Sequence, residues 1–128
     1  MTHRVLIVED FAPFRRFVSS TLKKLPGFQI IGEAADGLEA VQKATDLKPD
    51  LILMDIGLPT LNGLEAARRI SKLAPECKII FLSQESSADV MQEALNLACG
   101  YVVKKKAATE LSAAIEAVIS EKHFVGSR

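Results

Sequence analysis

The chain has 128 residues, enough for one domain with a real hydrophobic core, since domains commonly hold about 100 to 150. Sixteen basic residues balance sixteen acidic ones, which removes the net-charge argument for tight nucleic-acid binding by this chain. Cys77 and Cys99 lack CxxC or Cys/His spacing and read as buried thiols; without a basic-then-apolar leader or an apolar stretch near about 18 residues, the expected setting is the cytosol with no membrane contact.

Five short apolar segments alternate with five amphipathic ones. The run Val5-Leu6-Ile7-Val8 predicts a first strand over residues 4–9 that ends in Glu9 and Asp10. Phe14, Phe17, Val18, Thr21, Leu22 and Leu25 then recur at helical spacing until Pro26-Gly27 stops the helix. Phe11, Phe14 and Phe17 are read as core or helix-packing residues. A second strand covers 29–33, and Asp36 with Glu39 has the spacing of a capping box opening the second helix. The third strand, Leu51-Ile52-Leu53-Met54-Asp55, is another uninterrupted apolar run closed by a carboxylate. Asn62 with Glu65 opens the third helix, and a fourth strand, Lys78 to Ser83, ends in a hydroxyl. Ser86 with Asp89 is a weaker box for the fourth helix. The fifth strand, Gly100 to Val103, leads into Lys104, and Leu111, Ile115, Val118 and Ile119 mark the apolar face of the fifth helix. Residues 122–128 show no period. Residues 1–124 therefore read as one domain, and 125–128 as a tail that begins a linker toward an effector domain.

Strands alternating with helices argue for βαβ units, and continuous apolar runs argue for strands buried on both faces. Right-handed crossovers favour a doubly wound, five-stranded parallel sheet in the order 2-1-3-4-5, the flavodoxin-like arrangement. Strands one and three are then neighbours at the topological switch point, where ligands bind at the carboxyl ends of strands. Glu9, Asp10 and Asp55 converge there, with Ser83 and Lys104 reaching the same edge. Three clustered carboxylates call for a cation, and hard oxygen donors that leave room for a phosphate oxygen suit Mg2+. With Mg2+ and Lys104 neutralising a transferring phosphoryl group, an ionised Asp55 is placed to attack phosphorus and form an aspartyl phosphate.

These residues resemble the receiver domains of bacterial two-component response regulators over residues 4–124. The stretches that carry the likeness are Val5-Leu6-Ile7-Val8-Glu9-Asp10, Asp50-Leu51-Ile52-Leu53-Met54-Asp55-Ile56-Gly57-Leu58-Pro59, Asn62-Gly63-Leu64-Glu65-Ala66 and Gly100-Tyr101-Val102-Val103-Lys104. The resemblance implies that Asp55 is the phosphoacceptor, and that Glu9, Asp10, Asp55 and the Gly57 carbonyl hold Mg2+. It also implies that Ser83 and Lys104 contact the phosphoryl group and that Tyr101 is an aromatic switch. A sensor histidine kinase is the implied donor, and dimer formation through the face of the fourth helix, fifth strand and fifth helix the implied output. By the same resemblance, the domain is expected to assist its own phosphorylation and dephosphorylation rather than to turn over a separate substrate. Gly32-Glu33-Ala34-Ala35-Asp36-Gly37 and Leu61-Asn62-Gly63-Leu64-Glu65-Ala66 look most like the subfamily whose receivers precede a LuxR-type helix-turn-helix DNA-binding domain.

Departures from that pattern are Lys105, where the subfamily usually has aspartate, Lys106, where a small residue is common, and Gln84 after Ser83. The lysine run has two readings, a solvated loop or a contact for an acidic partner surface, and the first leads. Taken singly, each site residue is more simply a cap, a turn hydroxyl, a surface charge or a sheet-edge aromatic; their joint order carries the functional reading. The alternatives are a pseudo-receiver that signals without phosphorylation, a haloacid-dehalogenase-type phosphatase and a flavin carrier. A second aspartate, required by the phosphatase two residues after the first, is replaced here by Gly57. Glu9 and Asp10 would repel a flavin phosphate.

Overall fold

The computed structural model of the chain describes residues 2–84 and 87–127. Its elements follow in the order β1 (His3–Val8), α1 (Ala12–Lys23), β2 (Phe28–Ala34), α2 (Gly37–Leu47), β3 (Leu51–Asp55), α3 (Gly63–Leu73), β4 (Lys78–Ser83), α4 (Ala88–Leu97), β5 (Gly100–Val103), α5 (Ala107–Ile119) and β6 (Phe124–Val125), with Lys104–Lys106 forming a 3-10 turn before α5. The strands make one parallel sheet ordered β2-β1-β3-β4-β5-β6. The doubly wound core of the expected topology is therefore present, but the expected five strands are corrected to six. The additional strand falls in the aperiodic segment and is only two residues long. A period of two has no length over which to appear there, and pairing with β5 is what makes it a strand.

Alternation along the buried strands divides the core in two. Leu6, Val8, Ile52, Met54, Phe81, Tyr101 and Val103 face α2, α3 and α4, against Ala40, Ala44, Ala66, Ala67, Ile70, Met91 and Ala94. Val5, Ile7, Leu51, Leu53, Ile80, Leu82 and Val102 face α1 and α5, against Val18, Leu22, Leu111, Ala114, Ile115 and Val118. Burial on both sides is why these strands read as continuous apolar runs rather than as alternating ones.

The caps bear out the spacing. Asp36 accepts from the Glu39 N–H at 2.8 Å while Glu39 accepts from the Ala35 N–H at 2.8 Å, and Asn62 accepts from the Glu65 N–H at 2.9 Å. For α4 the cap is Ser87, which accepts from the Val90 N–H at 3.3 Å; Ser86 lies outside the described residues. Two readings need correction. Phe11 is 60% exposed, because it occupies the extended N-cap position of α1, one step before helical phase turns Phe14 and Phe17 toward the core. The cysteines are free and half-buried rather than fully buried, and burial pushes the Cys77 thiol up to about 12, so it stays protonated. Among the described residues, no helix is long and apolar enough to cross a membrane.

Candidate functional site

Parallel registration lines up the strand ends. Val8 pairs with Met54, Asp55 with Leu82 and Ser83 with Val103, so Glu9 stands level with Asp55, Ser83 lies one residue beyond Asp55's partner Leu82, and Lys104 one beyond Ser83's partner Val103. They line a cleft of about 400 Å3, with Asp10, Gly57 and Gln84 at its rim. Every residue expected at the site thus reaches this one crevice, save Tyr101. That side chain is fully buried on the α2-α3-α4 face, and Ser83 follows the same alternation as Phe81 and so points to the same side.

The charges are unequally treated. Glu9 is fully buried, Asp55 almost so, and Asp10 is exposed. Glu9 Oε2 accepts from the Phe11 N–H at 3.0 Å. Its other oxygen, Oε1, lies 2.7 Å from Lys104 Nζ, an ion pair that departs from hydrogen-bond alignment, and has no other polar partner among the described residues. Lys104 Nζ also approaches Asp55 Oδ2 at 3.4 Å. Burial drives the Glu9 carboxyl above its usual range, its neighbour Asp55 adds to the rise, and the contacts to Lys104 and the Phe11 N–H oppose it. Asp55 Oδ1 accepts from the Gly57 N–H at 3.2 Å, which orients the carboxylate without neutralising it.

Two residues shape the site without having been assigned to it from sequence. Phe14 places its ring 4.8 Å from Lys104 Nζ, holding the ammonium by its π face while the two carboxylates draw it from the other side. Helical spacing identified Phe14 as an inward residue but carried no sign of the lysine, which lies ninety positions later. Gly63 opens α3 directly on the backbone after β3: a Cβ there would lie 2.2 Å from the Asp55 carbonyl oxygen. Its N–H donates to the Ile56 carbonyl at 2.8 Å, so the missing side chain lets α3 buttress the acceptor strand. The lysine run separates in space. Lys104 turns into the crevice, Lys105 is exposed and Lys106 half-buried, and among the described residues neither of the latter forms an ion pair.

One carboxylate oxygen from each of Glu9, Asp10 and Asp55 can be chosen so that all lie within 4.8 Å of one another. Hard oxygen donors in that arrangement, one of them a buried oxygen whose counter-charge among the described residues is Lys104, fit a divalent cation such as Mg2+.

The family model for the response regulator receiver domain matches residues 5–116. The chain belongs to this family. This receiver domain is 40% identical over 105 residues to the chemotaxis protein CheY of Thermotoga maritima, covering 81% of the chain and 87% of that protein. It is also 40% identical over 111 residues to the protein-glutamate methylesterase/protein-glutamine glutaminase of the same organism, covering 85% of the chain. Response regulator GacA of Pseudomonas viridiflava is 32% identical, covering 95% of the chain. The receiver spans 32% of the methylesterase and 58% of GacA. Among solved structures, a LuxR-family two-component response regulator from Aurantimonas sp. SI85-9A1 superposes with a TM-score of 0.91 at 30% identity, covering 97% of this chain and 89% of that one. The response regulator domain of Thermotoga maritima CheB superposes with a TM-score of 0.85 at 36% identity, covering 94% and 98%. These likenesses place the receiver in two-component signalling, with LuxR-type regulators among its structural neighbours.

Proposed function

We propose that this receiver is a phosphorylation switch in which Asp55 takes a phosphoryl group from a phosphohistidine of a sensor kinase. The observation that carries the reading is the Glu9-Lys104-Asp55 cluster at the mouth of one crevice, with Lys104 Nζ shared between two buried carboxylates. An Asp55 carboxylate oxygen attacks phosphorus, the P–N bond to the imidazole breaks, and the nitrogen keeps the electron pair and takes a proton. The product is an acyl phosphate on Asp55. Glu9, Asp10 and Asp55, together with the Gly57 carbonyl, would hold Mg2+, which when bound supplies charge neutralisation for the phosphoryl oxygens.

The chain's own residues do the rest. The Gly57 N–H orients Asp55, and Lys104, which lies 3.4 Å from Asp55 Oδ2, pairs with a phosphoryl oxygen. Ser83 donates to another oxygen. Because Ser83 and Tyr101 share the face toward α4, a pull on Ser83 is felt where the Tyr101 ring packs, and the output surface is that of α4, β5 and α5. Dimer formation through that face is one proposed output, and a DNA-binding effector segment on the same polypeptide, which the LuxR-type neighbours support, is the other. The cytosol, where such kinases present their phosphohistidines, is the proposed location.

Mass spectrometry after incubation with acetyl phosphate and Mg2+ tests this. The unchanged chain gains one phosphoryl group and Asp55→Asn gains none. Absence of the adduct from the unchanged chain leaves a pseudo-receiver that signals by contact alone, and an adduct that survives Asp55→Asn moves the acceptor elsewhere.

A further inference from the structure

The sheet does not end at β5. Residues 124–127 run beside it, with the Phe124 N–H donating to the Cys99 carbonyl at 3.0 Å and the Gly126 N–H to the Tyr101 carbonyl at 2.8 Å. The Ser127 N–H is then shared by both oxygens of Glu110 on α5, at 3.0 and 3.1 Å. Gly126 is buried, and a Cβ there would lie 2.6 Å from Glu110 Oε1 and 3.1 Å from the Tyr101 carbonyl oxygen. A side chain there would displace the Glu110 carboxylate and press on the Tyr101 carbonyl, so a glycine suits the passage between α5 and the strand edge.

Register gives the two preceding side chains opposite jobs. Phe124 pairs with Gly100 and packs its ring against the α1-α5 side of the core. Val125 pairs with Tyr101 and stands on the opposite face from Phe124, 53% exposed beside a Tyr101 that is fully buried, so the strap holds this strand position chiefly through its backbone. An outer strand also covers carbonyl and N–H groups that an edge strand otherwise offers to another chain. One apolar anchor, one glycine passage and one carboxylate clamp thus tie down a segment lying against the residue proposed to move in signalling.

We propose that the outer edge of β5 is a strand-docking surface occupied by the chain's own residues 124–127, and that this occupancy controls how far Tyr101 and the β5 edge are open to solvent and to partners. Docking of the strap and burial of Tyr101 are linked, so each favours the other, and whatever draws the strap away frees both. The device is defined without reference to phosphorylation, and it stands or fails apart from the chemistry at Asp55.

Composition supplies the probe. Tyr101 is the one tyrosine and tryptophan is absent, so tyrosine emission reports this residue alone. In the unchanged chain the Gly126 amide exchanges slowly with solvent deuterium and acrylamide quenches Tyr101 weakly. Gly126→Pro removes the donor to the Tyr101 carbonyl and crowds the passage, and it raises the quenching constant by about fivefold or more, the lower range of ordinary coupling between linked sites. Glu110→Ala loosens only the clamp and gives a smaller rise. A Gly126 amide exchanging as fast as an unfolded chain overturns the proposal, as does Gly126→Pro quenching identical to that of the unchanged chain. Should Gly126→Pro lose its cooperative thermal transition, Glu110→Ala decides: a rise in quenching with the transition intact supports the strap, and unchanged quenching overturns it.

Discussion

The two ends of the sheet handle charge in opposite ways. At the amino end, the Arg4 N–H donates to Asp50 Oδ2 at 2.8 Å, the Arg4 guanidinium donates to the Lys48 carbonyl at 2.9 Å, and Lys78 pairs with Glu121 at 2.8 Å. Asp50 and Glu121 are exposed, so water shares the work and little depends on any one contact. At the carboxyl end, Glu9 is fully buried, and among the described residues one of its oxygens has only Lys104 to face. Burying a carboxylate with so few partners destabilises its ionised form, and groups of this kind cluster at functional sites. The same sheet carries ordinary surface electrostatics at one end and, at the other, a buried carboxylate held by one lysine and one backbone N–H.

Removing the shared cation gives the largest expected effect. Lys104→Ala slows acetyl-phosphate labelling of Asp55 by about a hundredfold, the scale of losing one preorganised charge at a transferring group. Labelling time courses followed by mass spectrometry measure it, and a rate within twofold of the unchanged chain would remove Lys104 from the phosphoryl site.

Neutralising the buried acid separates stability from function. In Glu9→Gln, Mg2+ binding weakens by about tenfold or more, as expected when one of the charged donors to a hard cation is lost, and titration calorimetry measures it. Stability moves the other way in chelator. The folded Glu9 carboxyl sits above its ordinary value of 4.5, so below that value both states are protonated and the group costs nothing. As pH rises past 4.5 the unfolded chain ionises first, and stability falls until the folded carboxyl has ionised too. The thermal midpoint of Glu9→Gln therefore gains on that of the unchanged chain as pH climbs through this window, and a constant gap would mean the buried carboxylate is already relieved.

The amino end supplies the contrast with the smallest effect. Asp50→Ala removes the acceptor for the Arg4 N–H and lowers stability by about 1 kcal/mol, measured by urea unfolding, while labelling of Asp55 is unchanged. A labelling defect as large as that of Lys104→Ala would erase the distinction between the two ends.

Much of this division was legible along the chain. Two apolar runs each closed by acid marked β1 and β3 and put Glu9 and Asp55 at their ends, because strands buried on both faces must be apolar throughout and can change character only where they emerge. Asp36 and Asn62 declared their helices through local hydrogen bonds three residues long. Phe11 misled, since an aromatic beside an apolar run reads as core until the N-cap geometry of α1 turns it outward. Phe14 beneath Lys104 and Gly63 against Asp55 carried no readable mark of those contacts, which join positions far apart in sequence or depend on how closely two backbones approach.

By itself the sequence determined the alternation of strands and helices, the doubly wound order of the first five strands and the identity of the acids at their ends. These follow from periodicity and local hydrogen bonding, which act over a few residues. Only the tertiary structure decided that Lys104 is shared between Glu9 and Asp55, that Ser83 and Tyr101 occupy one face, and that residues 124–127 close the edge of β5. A two-residue strand has no pattern of its own, and a buried charge acquires its character from neighbours that only folding brings to it.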